Sequence, residues 1–275
     1  CDFVFELIVA NDHSSDNSDS IVKKILAENP KSNCIKYTYC DTNLGMHANF
    51  LFAVKQALGK YIAICEGDDY WTDRLKLQKQ VDFLEANSEY SISFHKVMIL
   101  ENEELVDDYK TKVYGEITSQ KDLLHDTNYI HTVSVVFRNI IKQMPDWFSR
   151  AMPGDYPLWM MLTANSYKIK YFQDVMAVYR VHSNGIWSTQ DTSKYKQRIA
   201  FTMLSCARYL DINPPFVQYY ISSLAESIKK FGFEYLSHSE YLDLAIWSLK
   251  STHLGIKSKL AILTVGYRRN LGLIR

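Results

Sequence analysis

The chain has 275 residues, 47% of them hydrophobic, and its 31 Lys and Arg balance 31 Asp and Glu. That is enough for one large domain, or for a domain with a helical appendage, and it excludes disorder as the default. A net charge of zero supplies no global field to recruit nucleic acid, so a nucleic-acid partner is not expected.

Residues 5 to 10 predict a strand, followed by the polar turn Asn11 to Ser18 and a helix over Asp19 to Glu28 with Ile21, Val22, Ile25 and Leu26 on one face. A second unit repeats the pattern, with a strand over Ile35 to Tyr39, a loop over Cys40 to Gly45 and a helix over Met46 to Leu58. The third has a strand over 61 to 65, the acidic turn Glu66-Gly67-Asp68-Asp69, and a helix from about Arg74 to Ala86. Strands alternating with helices predict an α/β fold with a mostly parallel sheet and helices on its faces.

After residue 90 the pattern changes. Ser91 to Leu100 predicts a strand, Glu101 to Asp108 an acidic surface turn, Gln120 to His125 a short helix and Thr132 to Arg138 another strand. The run Met152-Pro153-Gly154-Asp155-Tyr156-Pro157 opens a helix over 157 to 163, and Tyr167 to Arg180 predicts two strands. Helices over Lys196 to Leu210, Val217 to Phe231, Tyr241 to Leu249 and Ile256 to Tyr267 complete the reading. This divides the chain into an α/β domain over 1–190 and a helical region over 191–275.

Five cysteines, Cys1, Cys34, Cys40, Cys65 and Cys206, are odd in number and form no C-x-x-C pair, so they read as reduced thiols of a cytosolic protein. No apolar run approaches the ~18 residues of a membrane span. Lys257, Lys259, Arg268, Arg269 and Arg275 alternate with Leu260, Ile262, Leu263, Leu271 and Ile274 near the C-terminus. That pattern fits peripheral contact with anionic lipid, or a packed helix with solvated lysines.

Ligands of open α/β sheets bind beyond the carboxyl ends of the strands. Asp12, Asn43 with Gly45, and Asp68 with Asp69 follow the first three strands, so three polar loops are expected at one edge. Adjacent carboxylates suit a hard divalent cation that also binds phosphates, which implies a nucleotide diphosphate. The competing reading is a solvated turn, with Asp73 capping the next helix and Asp12 forming an Asx-turn with Ser14 and Ser15.

Five motifs in order carry a resemblance: Leu7 to Ser18, Asn43-Leu44-Gly45, Gly59-Lys60-Tyr61 leading to Glu66-Gly67-Asp68-Asp69, Gly154 to Trp159, and Tyr179-Arg180-Val181-His182. Together they resemble a family 2 glycosyltransferase of the GT-A fold. The resemblance implies a metal-dependent, inverting transfer of a hexose-type sugar from a nucleotide diphosphate donor, such as a uridine diphosphate sugar, to a glycan or lipid-linked glycan. Bacterial surface polysaccharide assembly is the implied setting, in the cytoplasm or at the inner face of the membrane.

Carried over by position, the family pattern gives the nucleotide base to Asp12 and the nucleotide-sugar subsite to Asn43, Asp68 and Arg180. Mn2+ or Mg2+ falls to Asp69, with Asp68 and His182, and the catalytic base is Asp155. The competing role for Asp155 is the N-cap of the helix over 157 to 163, and Trp71 and Trp159 read as packing residues. Asn11 and His13 depart from the family's usual acid and glycine, Arg74 stands where a proline is frequent, and the family's usual first strand and helix are expected upstream of Cys1. Two competing readings are a noncatalytic nucleotide-sugar-binding module and a nucleotidyltransferase.

Overall fold

A computed structural model describes residues 1–113, 115–126, 128–183, 192–212, 216–233 and 235–250. The expected helix Ile256 to Tyr267 and its basic residues lie outside the described residues, as does the membrane contact assigned to them.

The elements in chain order are β1 (Leu7–Asn11), α1 (Ser18–Glu28), β2 (Ile35–Tyr39), α2 (Met46–Gln56), β3 (Tyr61–Ala63), β4 (Tyr70–Trp71), α3 (Lys76–Ala86) and β5 (Tyr90–Glu101). They continue with β6 (Glu104–Asp107), β7 (Ile117–Ser119), α4 (Gln120–Asp126), β8 (Val136–Arg138), α5 (Asp155–Leu162), β9 (Lys168–Val181), α6 (Thr192–Tyr209), α7 (Phe216–Phe231) and α8 (His238–Lys250). The α/β class, the flanking helices and the helical C-terminal region match the sequence reading.

The sheet departs from the mostly parallel expectation. β1 and β2 pair in parallel as a separate two-stranded sheet, while the larger sheet runs β3-β8-β5-β9-β4 with β6 on β5 and β7 on β9. In it β5 and β9 are parallel, and the pairs β3–β8, β5–β8, β4–β9, β5–β6 and β7–β9 are antiparallel. The helix-alternating first third of the sequence says nothing about β8, a three-residue strand that returns between β3 and β5. Pairing of this kind is set by long-range contacts, which local periodicity does not carry.

Other boundaries move for local reasons. The expected surface turn over 101 to 108 is a hairpin: Asn102 and Glu103 take φ of 50° and 67°, and β5 turns directly into β6. Positive φ at both central positions is the geometry of two-residue hairpins. Tyr167 to Arg180 is one strand, not two, paired along its length with β5 across register shifts at His95 and Lys96. The strand expected from Thr132 begins only at Val136, because residues 132–134 form a 3-10 turn.

Two apolar clusters hold the chain. The first joins Ile92, Phe94, Phe137 and Ile169 of the sheet to Leu158, Trp159 and Met160 of α5 and to Met203 and Cys206 of α6. The second packs Ala200, Phe201, Leu204 and Ala207 of α6 against α7 and α8. Burying each large apolar side chain contributes about 1.5–3 kcal/mol, so α6, which enters both clusters, ties the helical region to the floor of the sheet. α1 has no buried residue, and Ile21 and Ile25 of its apolar face are exposed.

Candidate functional site

The first loop is built from β1 outward. Asn11 holds the loop after β1 by accepting the Ser14 N–H, three residues on, at 2.8 Å, while Asp12 makes no such turn with Ser14 or Ser15. Asp12 instead faces the start of α2, where the Leu44 and Gly45 N–H groups donate to its Oδ1 and Oδ2 at 2.6 and 2.9 Å. A carboxylate there satisfies orphan amides and meets the positive end of the helix dipole. Asn43 completes the lock, its Nδ2 donating to the Asp12 carbonyl at 3.1 Å and its Oδ1 accepting the Gly45 N–H at 3.0 Å. Asp12 and Asn43 therefore do come together. His13 has φ 61°, the left-handed conformation that explains why glycine suits this position.

The acidic turn lies between β3 and β4, which occupy opposite ends of the sheet path, so residues 64–69 cross the sheet's end. β4 is fastened to β9 through Tyr70–Val178 and Trp71–Ala177 pairing. That pairing brings the end of β9 to the turn: the Arg180 N–H donates to Asp69 Oδ1 at 2.8 Å, and His182 Nε2 lies 3.1 Å from Asp68 Oδ2. The Arg180 guanidinium stacks over the Tyr70 ring at 5.1 Å.

Four carboxyl groups crowd this region. Enclosure in the cleft pushes the Asp69 carboxyl up to about 6, opposed by the Arg180 N–H and reinforced by Asp68. Desolvation raises Glu66 further, with Asp69 and Asp155 adding repulsion. Burial raises the Tyr179 hydroxyl first, and the charges of Asp69, Asp68, Glu66 and Asp155 raise it further. Carboxyl groups with pKa values raised by burial and by one another mark a candidate functional site.

Asp155 is the first residue of α5. Its Oδ1 accepts the Tyr156 N–H at 2.8 Å and its Oδ2 accepts Asn128 Nδ2 at 2.6 Å. Burial raises its pKa, against the pull of those two donors and of His131. The N-cap expected at Asp155 is Gly154 instead: α5 begins two residues earlier than expected, and Asp155 stands in its first turn. Trp159 is fully buried and Trp71 is capped by the Lys76 ammonium at 4.5 Å, so both tryptophans pack.

Sequence reading missed three further residues here. Asn128 holds Asp155 directly. His131 sits three residues on, with Nε2 2.9 Å from Asp108 Oδ2 and its ring 4.8 Å from that of Tyr179. It adds positive character beside both Asp69 and Asp155. Asp108, assigned to a solvated turn, is nearly buried; desolvation works against its charge, but His131, Thr111 and the Lys110 N–H bring it down to about 2. Nothing in a lone Asn-x-x-His over 128–131 marks these positions.

Among the described residues, no three His, Cys, Asp or Glu side chains converge closely enough to hold a metal ion unaided. Asp68 and His182 form a pair, while Asp69 is drawn aside by Arg180. The set still fits a hard cation: Mg2+ and Mn2+ commonly bind through one or two carboxylates plus substrate phosphates. Asp69 Oδ2, which has no hydrogen-bond partner among the described residues, is free for that use.

The chain is an α/β protein whose acidic turn meets the end of β9 at Arg180 and His182. The family model for glycosyl transferase family 2 matches residues 2–144, over half of the chain, and the chain belongs to that family. It is 35% identical over 199 residues to an uncharacterized protein of Mycobacterium tuberculosis, covering 71% of this chain and 55% of that one. The chain thus spans about half the length of that relative. It is 26% identical over 199 residues to the Escherichia coli UDP-Glc:alpha-D-GlcNAc-diphosphoundecaprenol beta-1,3-glucosyltransferase WfaP, covering 70% of this chain and 71% of the other. A solved structure, the mannosyltransferase PcManGT from Pyrobaculum calidifontis in complex with GDP-Man and Mn2+, aligns over 97% of this chain and 78% of its own at 14% identity and a TM-score of 0.49.

Proposed function

We propose that the chain is the catalytic part of an inverting glycosyltransferase that moves a sugar from a uridine diphosphate donor to a lipid-linked glycan in bacterial surface polysaccharide synthesis. The observation that carries the reading is the meeting of the acidic turn with the end of β9, where Asp69 accepts the Arg180 N–H and Asp68 lies beside His182. The donor and acceptor classes follow the name of the E. coli relative, a UDP-Glc-dependent enzyme acting on a diphosphoundecaprenol-linked sugar.

In this reading Asp12 meets the base. Its two oxygens are already oriented by Leu44 and Gly45, and each keeps a lone pair for the base N3–H. Asp69, with Asp68 and His182, holds Mg2+ or Mn2+ against the diphosphate. When bound, that cation offsets the charge on the leaving group. Arg180 lies on the same side, its guanidinium available to phosphate oxygens. Asp155 takes the proton from the acceptor hydroxyl as that oxygen attacks the anomeric carbon opposite the departing diphosphate. Its raised pKa makes it a stronger base than an exposed aspartate. The place of action is the cytoplasmic face of the membrane, where lipid-linked acceptors are presented.

The test is turnover of UDP-glucose with an N-acetylglucosaminyl diphosphate lipid as acceptor. Transfer that stops on chelation with EDTA and returns with Mn2+ or Mg2+ is the expected result. Metal-independent transfer contradicts the metal assignment, and binding of uridine diphosphate without any turnover favours a noncatalytic module.

A further inference from the structure

Between the loop that holds Asp12 and the helix that begins with Asp155 lies one buried side chain, His47. It occupies the first turn of α2, two residues after Gly45, whose N–H holds the Asp12 carboxylate. The ring is 8% exposed, hydrogen-bonds through Nε2 to the Phe148 carbonyl, and packs against the rings of Phe148 and Phe50 at 5.1 and 6.3 Å. Its Nδ1–Cε1 edge faces Gly154. A Cβ added at Gly154 would lie 2.3 Å from His47 Nδ1 and 2.4 Å from Cε1, far inside van der Waals contact.

Gly154 has φ −85°, which any residue adopts, so backbone freedom does not require glycine here. Space does. A flexible side chain would swing away from such a contact, but this ring is pinned on three sides. The backbone just before Asp155 is therefore set by how far His47 lets it approach. Met152, two residues earlier, is held from the other side by its N–H donating to Thr202 Oγ1 of α6 at 2.7 Å.

We infer that His47 is a positioning residue that sets the placement of the Asp155 carboxylate and links it to the Asp12 loop through one turn of α2. The inference rests on the proposed roles of Asp12 and Asp155. A continuous series of contacts runs from the Asp12 carboxylate through the Gly45 N–H, the first turn of α2 and the His47 ring to Gly154 and Asp155. Burial keeps the His47 imidazole neutral by holding its pKa below the usual range, which suits a packing surface against a glycine. General-base catalysis depends steeply on placement, and a displacement of about 1 Å costs on the order of a hundredfold in rate.

The experiment compares the full chain with Gly154→Ala, His47→Ala and the double variant. The readouts are kcat and donor KM for UDP-glucose with Mn2+, and thermal unfolding. Gly154→Ala is expected to lower kcat on the order of a hundredfold while donor KM stays within about twofold, because Asp69 and Asp12 are untouched. His47→Ala alone, which leaves Gly154 without the ring it seats on, is expected to lower kcat as well, and the double variant, with room restored but the ring gone, to be faster than Gly154→Ala and slower than the unmodified chain. Unchanged kcat in Gly154→Ala, or a double variant no faster than Gly154→Ala, overturns the inference. If the unmodified chain turns over no UDP-glucose, the functional reading falls on its own. Unfolding then decides the seating: a lowered Tm in Gly154→Ala that the double variant regains supports it, and no recovery overturns it.

Discussion

Asp155 and Asn128 show how one hydrogen bond tunes a proposed base. Burial raises the Asp155 pKa and the Asn128 amide pulls it back, since a donor to a carboxylate favours the charged form. A base must be deprotonated to act, so activity is lost as pH falls through that pKa. Asn128→Leu removes the donor, raises the pKa further and is expected to move the acid limb of the kcat profile to higher pH. An acid limb that stays in place removes Asn128 from the account. Asp12, Asp68 and Asp69 were singled out in the sequence because each follows a predicted strand, and Asp155 and His182 because they match the motifs of the resemblance; their roles are those proposed above. Asn128, His131 and Asp108 were not singled out, because what joins them is a fold contact across 20 or more residues, with no local pattern to announce it.

At the scale of elements, α3 shows how the acidic turn is backed from below. Lys76 is fully buried under Trp71, and burial lowers its pKa to about 7. Its ammonium donates to Gln80 Oε1 at 2.9 Å, and Gln80 Nε2 in turn donates to the carbonyls of Ser93 and Ser134, each at 3.0 Å. One amide thus joins α3 to β5 and to the segment that carries His131. Gln80→Leu leaves the buried ammonium without that acceptor and two carbonyls without that donor, and is expected to cost roughly 2–4 kcal/mol. Denaturant unfolding checks the value, and a loss under about 0.5 kcal/mol, the range of ordinary surface changes, contradicts it. The helical periods of α1, α2 and α3 were readable because one apolar face repeats. The mixed pairing of the larger sheet was not, since β4 and β8 are two and three residues long and exist only through partners distant in sequence.

For the whole molecule, the two apolar clusters meet on α6, so the helical region supports the site as well as following it in sequence. Thr202 of α6 holds Met152, and Met152 precedes the Gly154 that His47 confines. The Asp12 loop, the acidic turn and the Asp155 helix therefore rest on three different parts of the fold, and the proposed reaction needs all three in register. No helix among the described residues is long and apolar enough to cross a membrane. The most direct test of the central claim measures UDP-glucose turnover and uridine diphosphate binding, both with Mn2+, for Asp155→Asn and Asp69→Ala beside the unmodified chain. The account predicts that Asp155→Asn loses about 10²–10⁴ in kcat, the usual worth of a general base, and keeps its nucleotide affinity, while Asp69→Ala loses both. Wild-type turnover in either variant would contradict it.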